Sequence, residues 1–219
     1  MNIVNHLKSN GLAAGIVCAR GVTISPSPTP LDERLRALVS RRKQEDFPPP
    51  DLKNSVRNLL RRGGFKPSGR NKPASEYLAQ AAREDRFPFI NNLVDINNYV
   101  SLYSGLPASL LDLAITGEAV SLRCGKTGEK YVFNEAGQEI DLAGLICICR
   151  DEGENSVPLG NPVKDSMLAK LSASTRSVLG VIFAPQEALS TEDLHSYAHL
   201  FGDLLKEHGG VQDVDIQIC

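Results

Sequence analysis

Apolar residues recur every three or four positions over Leu31 to Lys43, Leu52 to Arg62, Pro73 to Arg86 and Glu192 to His208, the period of a helix with one buried face. The first two are separated by Phe47-Pro48-Pro49-Pro50, a break that ends one helix and precedes the next, because proline lacks the N–H and restrains the residue before it. Asp51 stands where it would cap the second helix. In the third, Pro73 lies near the start and Tyr77, Leu78 and Ala81 share the inner face. In the last, Thr191 is placed as N-cap, Leu194, Tyr197, Ala198, Phe201, Leu204 and Leu205 point inward, and Gly209-Gly210 is the stop.

Phe89 to Asp112 combines the same period with a dense set of neutral polar side chains. Leu93, Ile96, Val100 and Tyr103 fall on one helical face and Asn97, Ser101 and Ser104 on another, before a Gly105-Leu106-Pro107 break and a second apolar turn. Amides and hydroxyls in this arrangement bind a polar small molecule or position a water without introducing charge; an ordinary amphipathic helix with a solvated stripe has the same pattern.

Short β-like runs fill the rest: Leu12 to Ala19, Ala119 to Arg123, Lys130 to Phe133, Leu145 to Arg150, Ser177 to Ala184 and Val211 to Ile216, with turn signals at Gly125 to Gly128 and Asn134 to Gln138. Helices and strands are segregated and do not alternate as βαβ units, which predicts an α+β fold. A length of 219 residues fits a single domain over 1–219, divided into a helical arm at 31–72, a core at 73–185, and a C-terminal helix and strand at 186–219 that complete the core.

Charge changes this picture. The net charge of −2 conceals a basic segment: Arg34 to Lys72 holds twelve Lys/Arg against three acids, a balance of +9 that leaves −11 for the remainder. Within it Arg41, Arg42, Arg57, Arg61, Arg62, Lys66 and Arg70 are the candidate RNA contacts. The loop Arg61 to Arg70 has the bases and glycines to approach a phosphate backbone closely, although internal neutralisation by the acidic remainder is the alternative.

Other chemistry is sparse. The five cysteines are dispersed without CxxC spacing and read as reduced thiols of a cytoplasmic protein, with Cys147 and Cys149 on one face of a buried strand. His195 and His199 lie one turn apart with no third ligand to complete a zinc set, and neither a metal nor a cofactor is expected. No run reaches the roughly twenty apolar residues of a membrane span, so the chain is expected to be soluble, with no membrane partner. Its oligomeric state is not legible.

Ile90-Asn91-Asn92-Leu93-Val94-Asp95-Ile96-Asn97-Asn98-Tyr99-Val100-Ser101-Leu102 resembles the NNVVDVTNYV segment of the B3/B4 domain in bacterial phenylalanyl-tRNA synthetase beta subunits. Leu106-Pro107 through Asp112 looks like the family's following QPxHAFD, and Leu122-Arg123 with Gly128-Glu129 looks like its R-x-A-x-x-G-E. Thr175 to Pro185 resembles the closing strand, so the likeness covers about Pro73 to Pro185.

The resemblance implies a layered β-sandwich or mixed sheet with packed helices, and a pocket that in the synthetase hydrolyses tyrosine wrongly attached to the phenylalanine tRNA. It implies tRNA or aminoacyl-tRNA as partner. A freestanding copy would be an editing esterase acting in trans, or a non-catalytic binder of tRNA or of an amino acid. Substrate contacts are expected from Asn92, Asn97, Ser101, Ser109, Asn161, Lys164 and Asp165, the last three in a segment that occupies the place of the family's glycine-rich pocket loop. The family's histidine aligns with Ser109, its strand acid near Leu179 or Gly180, and its helix threonine with Asn97, so no residue is assigned as catalytic.

Overall fold

The computed structural model describes residues 1–153 and 155–219. In chain order its elements are β1 (Asn2–Asn5), β2 (Leu12–Arg20), α1 (Thr29–Lys43), α2 (Pro50–Arg61), α3 (Ala74–Arg83), α4 (Asn92–Ser104), β3 (Ala108–Asp112), α5 (Leu113–Thr116), β4 (Ala119–Cys124), β5 (Lys130–Val132), β6 (Glu139–Asp141), β7 (Ile146–Glu152), β8 (Asn155–Gly160), β9 (Ser177–Pro185), α6 (Thr191–His208) and β10 (Val214–Ile218).

They form three layers, an α+β architecture. A middle antiparallel sheet runs β10-β2-β9-β3, and an outer sheet runs β1-β4-β7-β8, with β1 parallel to β4 and the other pairs antiparallel. The hairpin β5-β6 stands apart from both sheets. Helices cover the other face of the middle sheet. Strand β9 therefore serves two cores: Val178, Ile182 and Ala184 meet the helices, while Leu179, Val181 and Phe183 meet the outer sheet. Burial on both faces explains why Ser177 to Ala184 shows no polar alternation. Gly180 lies beneath α6 so closely that a Cβ there would sit 2.8 Å from Phe201 Cε1.

Several boundaries differ from the sequence pattern. Ala108 to Asp112, read from the sequence as a second apolar turn, is the edge strand β3, because Pro107 ends the preceding apolar period and Ser109 and Leu111 pair with Val181 and Leu179. Strands β1 and β8 have no clear periodicity; β8 carries Pro158 opposite Cys149 beside a register shift, a position that edge strands tolerate. Strand β10 begins at Val214 rather than Val211. Ser190, not Thr191, caps α6 by accepting from Asp193 N, and Asp51 falls inside the first turn of α2, which starts at Pro50.

The basic segment is packed into the body. Leu31, Leu35 and Leu38 of α1 and Val56 of α2 enter the helical core, while Leu59, Leu60 and Phe65 reach the core between the sheets. The turn after α2 docks on the loop after β6 at Gly63 and Gly144. A Cβ at Gly63 would lie 2.0 Å from Gly144 O, and one at Gly144 would lie 1.9 Å from Gly63 O.

Candidate functional site

Helix α4 is capped by Asn91, whose side chain accepts from Val94 N at 3.0 Å. It is enclosed almost all round: Leu93, Ile96, Val100 and Leu102 are fully buried, and so is most of its polar stripe. Ser101 Oγ donates to Leu106 O (2.8 Å), and Ser104 Oγ donates to Val100 O (2.7 Å) and accepts from Leu106 N (3.1 Å). Asn92 accepts from Ser25 N and donates to Thr23 O and His208 O. These side chains satisfy backbone groups around the helix, so Asn92 and Ser101, expected as substrate contacts, are structural ties. Tyr103, on the same face as Leu93, Ile96 and Val100 by spacing, is 39% exposed and lies against the rings of Tyr99 and Tyr197.

Asn97 is the exception. It lines a cleft of about 910 Å³ that opens where β3 forms the edge of the middle sheet. One wall is Tyr77 and Gln80 of α3 with Arg70 and Lys72 from the preceding loop; the other is Phe133 and Glu135 from the β5–β6 turn. Val94 and Leu110 form the apolar back beside Asn91, and Lys164, Asp165 and Lys170 come from the chain between β8 and β9.

The floor is a self-bonded loop. Buried Asn161 accepts from Val163 N and Lys164 N, both at 2.8 Å, and donates through Nδ2 to Tyr131, whose hydroxyl donates to Lys164 O at 2.7 Å. Asn161 thus shapes the turn and does not face the cleft. Asp165 Oδ1 accepts from Ser109 Oγ (2.7 Å) and from Asn161 N (3.1 Å). Its Oδ2 accepts no hydrogen bond from the described residues and, Asp165 being half-buried, is open to the cleft. Burial pushes the Asp165 carboxyl up to about 7, against the opposing pull of Ser109, the Asn161 N–H and Lys170. The Lys164 ammonium sits 4.0 Å from the centre of the Phe133 ring, and burial, then the charge of Arg70, moves its pKa down. Asn97 Nδ2 donates weakly to Ala108 O (3.4 Å), and its Oδ1 is buried without a partner among the described residues.

The mouth is cationic: Arg70, Lys72, Arg86, Lys164 and Lys170 line it, with Glu135 as the acid on the rim. Lys72 is held by Gln80, Arg86 by Glu84 and over the Tyr77 ring, and Lys170 by Phe133 O.

The expected RNA contacts separate into groups. Arg42 is turned inward, donating to Leu102 O (3.1 Å) and Tyr103 O (2.7 Å) at the end of α4, with its guanidinium 3.6 Å from the Phe47 ring centre. Arg57 makes a two-point contact with Glu76 (2.7 and 2.6 Å), and Arg62 bonds Asn10 O and Glu187. Arg41 faces solvent beside Glu45, and Arg61 bonds Asn58. Lys66 and Arg70 are exposed and have no ion-pair partner among the described residues, and of the seven only Arg70 lines the cleft. Lys72, Arg86 and Lys170 were missed because they are far apart in sequence and meet only in the fold. Leu179 and Gly180 are buried away from the cleft, so that strand supplies no carboxylate there. Among the described residues no group of three or more acids, histidines or cysteines is placed to hold a metal, and no helix is long and apolar enough to cross a membrane.

The B3/4 domain model matches residues 65–195, which contain every residue that lines the cleft. The phenylalanine–tRNA ligase beta subunit of Latilactobacillus sakei is 31% identical over 136 residues, 59% of this chain and 16% of that subunit. That of Streptococcus pneumoniae is 36% identical over 72 residues, covering 32% of this chain and 9% of the subunit; that of Pseudomonas fluorescens is 30% identical over 108 residues, covering 49% and 13%. The chain therefore spans less than a fifth of the length of these relatives. A crystal structure of an N-terminal fragment of the phenylalanyl-tRNA synthetase beta subunit from Pyrococcus horikoshii aligns over 99% of this chain and 49% of that one, with a TM-score of 0.48 and 9% identity.

Proposed function

The chain belongs to the B3/4 domain family, and from that premise we propose that it takes the aminoacylated 3′ end of a tRNA into the cleft and hydrolyses the ester in trans. The observation that carries this reading is a cationic mouth leading to a hydrogen-bonding floor within the family-matched residues. Arg70, Lys72 and Lys170 attract the terminal phosphates, and exposed Tyr77 offers a ring face to a base. Water attacks the ester carbonyl, the carbonyl oxygen gains negative charge, and the ribose oxygen leaves with a proton. Lys164 is the cation available to that developing charge. An aminoacyl ester is already activated, so holding it against a water supplies much of the rate. The free thiols at all five cysteines agree with a cytoplasmic setting.

Binding without hydrolysis is the second reading. It is favoured by Ser109, which stands where the family has histidine and whose hydroxyl is committed to Asp165. Incubation of the purified protein with tyrosyl- and phenylalanyl-tRNA of the phenylalanine acceptor separates the two. Release of the amino acid above the buffer rate supports hydrolysis; retention of both esters at high protein concentration, with the tRNA bound, leaves the binding reading.

A further inference from the structure

The polar groups of the cleft are sorted by type. Its mouth presents donors on Arg70, Lys72, Arg86 and Lys170, whereas two acceptors remain free among the described residues: Asn97 Oδ1, which is buried without a partner, and Asp165 Oδ2, which accepts no hydrogen bond and is open to the cleft. Both side chains are anchored on consecutive residues of β3. Asn97 Nδ2 donates to Ala108 O, and Asp165 Oδ1 accepts from Ser109 Oγ. A ligand complementary to this arrangement is negative where it enters and carries hydrogen-bond donors at its inner end.

Resting on the reading above, we propose that the cleft selects acyl groups bearing a free α-ammonium, with Asp165 Oδ2 as the principal acceptor and Asn97 Oδ1 as the second. The Ser109 and Asn161 bonds fix Oδ1, so the carboxylate is oriented before the ligand arrives. A volume of about 910 Å³ has room for a terminal nucleoside together with its amino acid. An N-blocked or α-hydroxy acyl group brings at most one donor and no positive charge, so it leaves at least one acceptor unpaired and forfeits the charge-assisted contact, which is penalised more heavily than loss of apolar area.

The test uses minihelix RNAs with a hydrolysis-resistant amide link to phenylalanine, to tyrosine, or to phenyllactate, which keeps the size of phenylalanine and loses the ammonium. The full-length protein is expected to bind the aminoacyl forms at least tenfold more tightly than the phenyllactyl form. In Asp165→Asn that ratio falls to near one, and in Asn97→Ala, which removes only a long hydrogen bond and so preserves the fold, it falls by about threefold. Equal affinity of the wild type for aminoacyl and phenyllactyl RNA overturns the ammonium assignment while leaving tRNA binding intact. Full discrimination retained by both variants overturns the roles of Asp165 and Asn97. Failure of every RNA to bind instead rejects the underlying function, and the assignment with it.

Discussion

Ser109 Oγ donates to Asp165 Oδ1 across 2.7 Å, joining the edge strand β3 to the loop between β8 and β9. This bond favours the charged carboxylate, while burial favours the neutral acid and prevails, which is why the group titrates at about 7.

The pH dependence of stability follows with a definite sign. The folded protein binds the Asp165 proton up to about pH 7, whereas the unfolded chain releases it near 3.8, the ordinary value of an aspartate carboxyl. Between these values the native state holds more protons, so this group's contribution to stability is full at low pH and is lost as pH rises to about 7. Asp165→Asn keeps an acceptor for Ser109 and Asn161 and removes the titration. In urea unfolding it should gain on the wild type between pH 5 and pH 8 by on the order of 2 kcal/mol, after discounting for partial solvent access. Equal pH slopes would show that the carboxyl is not perturbed.

Ser109→Ala removes a bond that favours the charged form. The Asp165 carboxyl should then titrate higher than in the wild type, measured by carbon-detected NMR of the side chain. An unchanged or lower titration point counts against the bond.

Neighbouring arginines separate stability from surface charge. Arg42→Ala leaves Leu102 O and Tyr103 O without their donor and empties the space over Phe47, at a cost of about 2–3 kcal/mol in denaturant unfolding. Arg41→Ala removes a solvent-facing side chain paired at 3.5 Å with Glu45 and should change stability by less than about 0.5 kcal/mol.

At the cleft mouth, Arg70→Ala and Lys170→Ala should each weaken tRNA binding and reduce the slope of log affinity against log salt by about one. Arg61→Ala, outside the cleft lining, should have a smaller effect on both. Filter binding over a range of salt concentrations reads this, and equal effects of all three would move the contact surface away from the cleft.

Gly63 and Gly144 touch backbone to backbone, so a methyl group on either cannot be accommodated by a side-chain shift. Gly63→Ala should cost about 3 kcal/mol and loosen the loop that carries Arg70 and Lys72. Gly64→Ala tests a different cause: a Cβ there meets nothing within 4 Å, and the penalty comes from a φ of +91°, at about 1 kcal/mol.

The sequence pattern located α1, α2, α6 and β9 because each buries a regular set of apolar residues or is bounded by prolines and glycines. It misassigned the polar face of α4. A helix surrounded by protein on most sides buries its polar residues too, and Ser101 and Ser104 turn inward to satisfy carbonyl and amide groups near the Gly105 turn. Part of the charge run was misleading for a related reason: Arg57 meets Glu76 and Arg62 meets Glu187 only after folding. Asp165 and Lys164 were legible through the resemblance, whereas Lys72, Arg86 and Lys170 come together from three separate stretches of chain.

Strand β9 has a consequence for how the molecule can be assembled. Its nine residues pair with β2 on one side and β3 on the other, and its two faces complete both cores. Until Ser177 to Pro185 has left the ribosome, the apolar strand Leu12 to Arg20 waits without its main partner, and neither layer can close. Acquisition of the native state is thus a single late event, and a chain truncated before β9 should remain unfolded rather than form a smaller working version of the cleft.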